Sequence, residues 1–390
     1  MKRIIVIAEI ILLGIAGCGG EKQTTDDLIT VDVTKSYPNR ELILQDFMDV
    51  EYIVLEDTDE FITQGSVMAI GKEFIVTKNF VNDGDILIFD RNGKGIRKIN
   101  HFGQGPGEYT FIHRIVLDED NGEIIVHDYS PGKILVYNLN GTFIRSFKYN
   151  NEDEALHYSE VLNYDRNHLI CYDNTGNTVE ERQFYHVVIS KQDGSIIQKI
   201  QLPFKEKKTT LIIHQEGEVT MVADAATHAM LPFQDQWILT QPSSDTIYRL
   251  LPDYRMIPFI VRTPSIQSMN PEVFLSLELF TDRYCFMRAM KKEGKFTNTG
   301  YVTIPQTSLM YDRQENALFE YSVFNGDFSN RKHVGIGAPV SSEISFWQRL
   351  EAYELVEAYK KGELKGKLKE IAAGLDSESN PVIMLVKDKK

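Results

Sequence analysis

The 390-residue chain reads as all-β, a six-bladed β-propeller of four-stranded antiparallel blades with a short helical insertion before its closing strand. Three observations predict this. Short apolar segments are broken every few residues by Gly, Asn or Asp turns, the pattern of a strand-rich architecture. A hairpin repeat recurs without gaps, its turn glycines 93, 141 and 194 lying 48 and 53 residues apart. That spacing suits a four-stranded blade somewhat longer than the ~40–45 residues of a WD40 blade. Many strand segments are apolar on both faces, as expected where each sheet is covered by a neighbour on either side. Of the 373 residues from Cys18 onward, setting aside about 20 tether residues and about 40 helical ones leaves about 310, enough for about six blades of ~50 residues, with seven the alternative count.

The elements follow in chain order. Lys2 and Arg3 precede an apolar run, Ile4 to Ile15, that ends in Ile15-Ala16-Gly17-Cys18. This resembles a bacterial lipoprotein signal peptide. The run is short for a membrane span of ~20 residues, and Glu9 would be costly at a bilayer centre. We therefore expect residues 1–17 to be removed, Cys18 to carry lipid, and residues 18–27 to form a flexible polar tether. The propeller is then residues 28–390.

Glu51 to Leu55 reads as an N-terminal strand, and Ser66 to Asn79 as a strand pair. Ile86-Leu87-Ile88-Phe89-Asp90-Arg91-Asn92-Gly93 opens the first hairpin; Ile134 to Phe147 and Val187 to Ile200 repeat it. In each, an Asn-Gly or Asp-Gly corner supplies positive φ at low cost. Ile115 to Val126 turns at Asn121-Gly122. Weaker echoes occur at Asp245 to Pro258, with Pro252-Asp253 as corner, and at Leu309 to Tyr321 around Asn316. Ile344, Trp347, Leu350, Tyr353 and Val356 recur every three residues, which predicts a helix capped by Ser341 or Ser342 and continuing to Tyr359. A second helix, Leu364 to Ala373, ends at Gly374, so the insertion spans about 342–374. A closing strand at about 381–387 can complete a blade begun by Glu51 to Leu55.

Composition excludes several classes. Acidic residues outnumber basic ones, 56 to 42, for a net charge of −14, so a phosphate backbone is repelled at long range and nucleic acid is not an expected partner. Three cysteines and no CxxC pair argue against a disulfide framework or zinc site; Cys171 and Cys285 sit among apolar neighbours as buried thiols. Asp118 to Glu123 resembles a calcium loop in composition only, and no HExxH or Gly-x-Ser-x-Gly occurs. No catalytic residue, metal or other cofactor is expected.

Tyr52-Ile53-Val54-Leu55-Glu56-Asp57-Thr58, the hairpin ending at Ile99, Phe102-Gly103-Gln104-Gly105-Pro106-Gly107-Glu108-Tyr109 and the closing Asn380-Pro381-Val382-Ile383 together resemble the six-bladed, NHL-repeat-like β-propeller lipoproteins of bacterial envelopes. The resemblance implies the fold and a lipid-anchored envelope location, with no general activity to carry over. The Gly103, Gly105, Gly107 element lacks the Lys-Ser/Thr of a phosphate loop and reads first as an inter-blade connection. Glu108 and Tyr109 also make it the sequence-local choice for a binding loop on the rim near the axis.

The expected role is binding or scaffolding of an envelope protein, peptide or glycan, with membrane contact through the N-terminal lipid alone. The alternative is a hydrolase, lyase or lactonase using carboxylates, and under that reading Ca²⁺, in the central channel. Convergent polar groups with raised carboxyl pKa at a channel mouth would favour the enzyme, a broad aromatic face would favour binding, and an exposed Trp347 stripe would favour assembly.

Overall fold

The repeat's corner glycines adopt the left-handed conformation their turns require, with φ of 85° at Gly93, 82° at Gly141 and 76° at Gly194. The computed structural model describes residues 28–149, 156–174, 186–216, 219–225, 228–296, 302–341 and 343–389. The expected signal segment 1–17, Cys18 and the tether 18–27 lie outside the described residues.

The hairpins assemble into six blades. Blade 1 comprises Ser66–Ile70, Phe74–Lys78, Asp85–Asp90 and Gly95–Asn100; blade 2 comprises Ile112–Asp118, Glu123–Asp128, Lys133–Asn138 and Phe143–Lys148. Blade 3 comprises Tyr158–Asn163, His168–Asp173, His186–Ser190 and Ile196–Ile200. Blade 4 is built on Met230–Phe233, Gln236–Leu239, Thr246–Leu250 and Met256–Thr263, and blade 5 on Val273–Phe280, Tyr284–Lys291, Gln306–Asp312 and Ala317–Phe324. Blade 6 joins both ends of the chain. Val382–Asp388 pairs with Phe346–Leu350 on one side and, antiparallel over seven residue pairs, with Met48–Val54 on the other.

Upstream of that closure the chain runs along the outer edges of two further blades. Ile29–Asp32 adds a parallel strand to Met256–Thr263 of blade 4, and Asn39–Ile43 adds one to Ala317–Phe324 of blade 5. Arg40 fixes the second addition, with two hydrogen bonds of 2.8 Å to Glu315, a 3.2 Å bond to the buried Asp312 and its guanidinium 3.6 Å over the Phe319 ring. One N-terminal segment thus ties blades 4, 5 and 6 in succession.

Apolar side chains alternate between the two neighbours of each blade. In blade 2, Ile124, Val126, Leu135 and Tyr137 pack against Val76, Ile86 and Ile88 of blade 1. Their sequence neighbours Ile125, Ile134 and Val136 pack against Val161, Leu169 and Val187 of blade 3. Blade 6 closes on blade 1 in the same way through Ile383 and Leu385 against Ile75, Leu87 and Phe89. At ~1.5–3 kcal/mol per fully buried side chain, these interfaces make the double-sided apolar runs the main stabilising feature of the ring.

A second device repeats with the hairpins. The basic residue just after the third strand reaches back to a carbonyl of the first turn of its own blade: Arg91 to Gly71 at 2.8 Å, Lys191 to Asp165 at 2.7 Å and Arg313 to Asp282 at 2.9 Å.

The predicted helix over 342–359 is corrected. Phe346–Leu350 is a strand, and the helix is confined to Ala352–Lys360, followed by a second at Gly366–Ala372. Ile344 and Leu350 fall on a two-residue alternation with Phe346 as well as on the three-residue one with Trp347, and five ladder pairs with Val382 to Val386 decide between them. Trp347 packs into the interface between blades 6 and 1, so no exposed Trp347 stripe exists. Cys171 and Cys285 are free, buried and placed in separate interfaces, and burial pushes both thiols well above their usual pKa. No helix among the described residues is long and apolar enough to cross a membrane.

Candidate functional site

The segment Gly103 to Tyr109 lies where the structural reading of its glycines put it, between blades 1 and 2, and away from the axial rim. Tyr109 is fully buried; its hydroxyl donates to the Gly84 carbonyl at 2.7 Å and accepts from the His101 N–H at 3.0 Å. Its ring is therefore not offered to a ligand, which corrects that expectation. Lys133 Nζ donates to the carbonyls of Gly105, Pro106 and Glu108, and Tyr137 Oη donates to Gly107, so the loop is fastened to the third strand of blade 2. Glu108 is exposed, but its carboxylate folds back to accept the Gly105 N–H at 2.8 Å and occupies the space beside Gly103.

The inner strands all run in one direction along the channel. The end at which they begin, the leading end, also carries the turns between second and third strands. This end is aromatic. Phe80 is 61% exposed and Phe111 43%, with Ile62 and Val81 exposed beside them. Asn82 donates to the Thr110 carbonyl at 3.0 Å, which binds the Phe80 turn to the Phe111 segment, and the Phe80 N–H donates to Gln64 at 2.7 Å. From Phe111 the rings continue inward: His113 lies 6.3 Å away and nearly parallel, Tyr129 is 5.0 Å from His113, and His157 is 5.9 Å from Tyr129.

His113 of this row also lines a pocket of about 240 Å³, together with Arg114, Ser159, Glu160, Lys208 and Ser243, with Tyr172 and Thr210 among its other walls. The inner strands of blades 2 and 3 build it by the same device. Each has a register shift near its start, between Ile112 and Arg114 and between Tyr158 and Glu160. A bulge re-aims the side chains beside it, which turns His113-Arg114 and Ser159-Glu160 out of the apolar alternation and into the channel mouth. The two bulges touch, with His113 Nε2 3.1 Å from the Ser159 carbonyl.

Burial dominates the electrostatics here. Desolvation raises the Glu160 carboxyl, partly offset by His228, the Ala229 N–H and Arg114. Desolvation, reinforced by Arg114, lowers the His113 imidazole and favours its neutral form. Deeper in the same wall, burial takes His127 down to about 3 and His186 to about 4; their Nε2 atoms meet Tyr149 Oη and the Ala229 carbonyl. Two other carboxylates at this end are structural. Asp128 accepts from the Thr110 N–H and hydroxyl, and Asp173 from the His157 N–H, each holding the segment that enters its inner strand.

At the opposite, trailing end the channel widens to about 700 Å³. Three of its six lining carboxylates are committed: Asp118 to Lys191, Glu119 to three backbone N–H groups of the 72–74 turn, and Asp165 to His168. No group of three or more His, Cys, Asp or Glu among the described residues is placed to hold a metal ion.

The leading-end residues were not singled out from the sequence. The signal that would have found them is a polar pair at the second and third positions of two consecutive inner strands, His113-Arg114 and Ser159-Glu160, where the repeat otherwise calls for apolar residues.

Compared with known proteins, residues 28–387 match the family described as domain of unknown function DUF4934, and the chain belongs to that family. Among solved structures it is similar to a protein from Bacteroides fragilis described as a candidate exported protein, with 16% identity, coverage of 93% of this chain and 100% of that one, and a TM-score of 0.59. It is also similar to a DUF4221 member from Bacteroides vulgatus, at 10% identity over 88% of this chain and 97% of that one, TM-score 0.50. At these identities the likeness shows the fold. Among curated proteins it is 26% identical to Protein brain tumor of Drosophila melanogaster over 139 residues, 35% of this chain and only 12% of that protein's length.

Proposed function

We propose that this chain is a lipid-anchored envelope module that captures a ligand on the leading end of its propeller. The observation that carries the reading is the exposed pair Phe80 and Phe111, with His113 beside Phe111 both lining a polar pocket and opening the row of rings to Tyr129 and His157. Contiguous exposed apolar surface rimmed by polar groups marks an interaction site, and aromatic rings supply contact area at low conformational cost. Blade sides are used for stacking, and the outer edges of blades 4 and 5 are covered by the N-terminal segment; of the two channel ends, the leading one carries the exposed Phe80 and Phe111 rings.

The address rests on the Lys2-Arg3 start, the apolar run and Ile15-Ala16-Gly17-Cys18, and agrees with the description of the Bacteroides fragilis neighbour as exported. Mass spectrometry of the mature N-terminus tests it: a lipidated Cys18 is expected, and an unmodified N-terminus at another residue refutes it. For the binding reading, crosslinking in envelopes should capture a partner with the native protein and lose it in Phe80→Ala/Phe111→Ala. Both side chains are exposed, so folding should change by no more than ~0.5 kcal/mol per site. Undiminished capture by the double variant refutes the assignment.

The catalytic alternative is favoured by one observation, a carboxyl biased toward its protonated form and an imidazole biased toward its neutral form at one channel mouth. Substrate turnover by the purified protein that Glu160→Gln abolishes would replace the binding reading.

A further inference from the structure

We infer that the leading-end pocket seats an acidic sugar, a hexuronate residue of a glycan, whose carboxylate is held by Arg114 and Lys208. The inference rests on the binding reading above and names the ligand class.

The first argument is charge. The pocket gathers Arg114, Lys207 and Lys208 on a chain whose net charge is −14. Against them stand Asp224 and Glu160, and burial biases Glu160 toward its protonated form. Desolvation of the Glu160 carboxylate thus weakens its opposition to an anion in the pocket. Lys208 is held only loosely by a carboxylate, 3.8 Å from Glu272, while its backbone N–H is fixed to Ser243 Oγ at 2.8 Å. Arg114 is exposed, with its Nη1 donating to the His113 carbonyl at 3.1 Å. A local cationic cluster in an acidic surface draws a ligand carboxylate to that one point of the surface.

The second argument is size and lining. At about 240 Å³ the pocket lies just below the ~300 Å³ at which drug-sized sites begin, so it has room for a small unit of a larger ligand. Its neutral walls are side chains that both give and accept hydrogen bonds, Ser159, Asn174, Thr210, Gln241 and Ser243, which suits a ring of hydroxyl groups. The third argument is stacking. Tyr172 and His113 line the same pocket, and from His113 the Phe111 ring, 6.3 Å away, and the Tyr129 ring, 5.0 Å away, carry ring surface outward. Sugar rings present C–H faces to such surfaces, so further residues of the chain would lie along this row while the hexuronate occupies the pocket.

The test is calorimetric titration of the mature protein with tetramers of galacturonate, guluronate and mannuronate. Fully methyl-esterified tetragalacturonate, which loses the charge and keeps the rings, and neutral mannotetraose serve as controls. At least one uronate tetramer should bind, and if it is galacturonate, at least tenfold tighter than its methyl ester. Arg114→Gln/Lys208→Gln should remove the preference for the acidic over the neutral oligosaccharide. Phe111→Ala should weaken every oligosaccharide that binds. Equal affinity for acid and ester, a preference that survives in the double variant, or binding of mannotetraose alone overturns the inference and leaves the binding reading standing. If no oligosaccharide binds, capture that still depends on Phe80 and Phe111 refutes the sugar assignment alone, whereas capture independent of them refutes the binding reading as well.

Discussion

Replacing Lys191 with methionine isolates the most deeply buried ion pair among the described residues. Lys191 Nζ lies 2.5 Å from Asp118 Oδ2, with side-chain exposures of 4% and 1%, and donates also to the carbonyls of Asp165 at 2.7 Å and Arg166 at 3.2 Å. The pair joins blade 2 to blade 3 at the trailing end. Methionine retains most of the volume, so little of the loss would come from packing. What remains is a carboxylate sealed from water with Asn121 as its chief donor, at 2.8 Å, and the Asp165 carbonyl deprived of the Lys191 ammonium, while the Arg166 carbonyl keeps its 2.6 Å bond from Asn121 Nδ2. Removing one partner of a buried pair costs ~3–5 kcal/mol, because the other charge stays desolvated. Urea denaturation followed by tryptophan fluorescence measures the change in midpoint at constant slope. Lys191→Met/Asp118→Leu provides the control: with both charges gone it should recover most of the loss. A single variant that costs less than about 1 kcal/mol would refute the reasoning, as would a double variant less stable than the single one.

Deleting Pro381 to Lys390 removes a strand that pairs on both sides and buries Val382 to Val386; at ~1.5–3 kcal/mol each, those side chains match the whole stability of a typical domain, so calorimetry should show no cooperative transition. Burial alone would raise the Asp312 carboxyl, but hydrogen bonds from Arg283 and the N–H groups of Glu315 and Gln314 hold it below its ordinary value of 3.8. A depressed folded pKa gives stability that is present above the unfolded pKa and lost as pH falls through the folded one. Asp312→Asn should therefore cost ~2 kcal/mol at pH 7 and progressively less below about pH 4, measured by urea midpoints across that range. Tyr109→Ala should cost ~3–5 kcal/mol, as for any large buried ring, whereas Glu108→Ala should cost under about 1 kcal/mol by thermal melting.

The architecture was legible where the chain pays a conformational cost that only a few residues can meet. Asn-Gly and Asp-Gly corners announce hairpins because the left-handed turn position excludes most side chains. Blades 4 and 5 escaped that signal, since their corner residues with positive φ are Tyr254, at 64°, and Asn316, at 51°. The parallel strands Ile29–Asp32 and Asn39–Ile43 leave no repeat in the sequence, because an outer strand has only one neighbour and needs no second apolar face. The glycine-rich segment was legible as a connection and misjudged as a rim, since nothing in Gly103 to Tyr109 tells that Lys133 and Tyr137 fasten it from the next blade. The leading-end pocket was hidden for a related reason. His113 and Ser159 reach the channel through bulges, and a bulge is a property of a strand pair.

The same facts divide the ring into two halves with different duties. Blades 4, 5 and 6 are tied by the N-terminal segment and by the closure with Val382–Asp388, so the chain ends resist opening there. Blades 1 to 3 carry the regular repeat, the row of rings and the two bulges. A site formed between adjacent blades keeps its geometry only if the blades cannot shear past each other. His113 of blade 2 meets Ser159 of blade 3 at the leading end, while Lys191 of blade 3 grips Asp118 of blade 2 at the trailing end. The ion pair therefore acts on the pocket from the far end of the same interface. It follows that Lys191→Met/Asp118→Leu, even where it restores global stability, should loosen the register between the two bulges and weaken ligand capture, whereas an equally stable substitution in blade 5 should not. Hydrogen exchange at the N–H groups of Arg114 and Glu160 reads this directly: faster exchange in the double variant is expected, and unchanged protection would separate the clamp from the site.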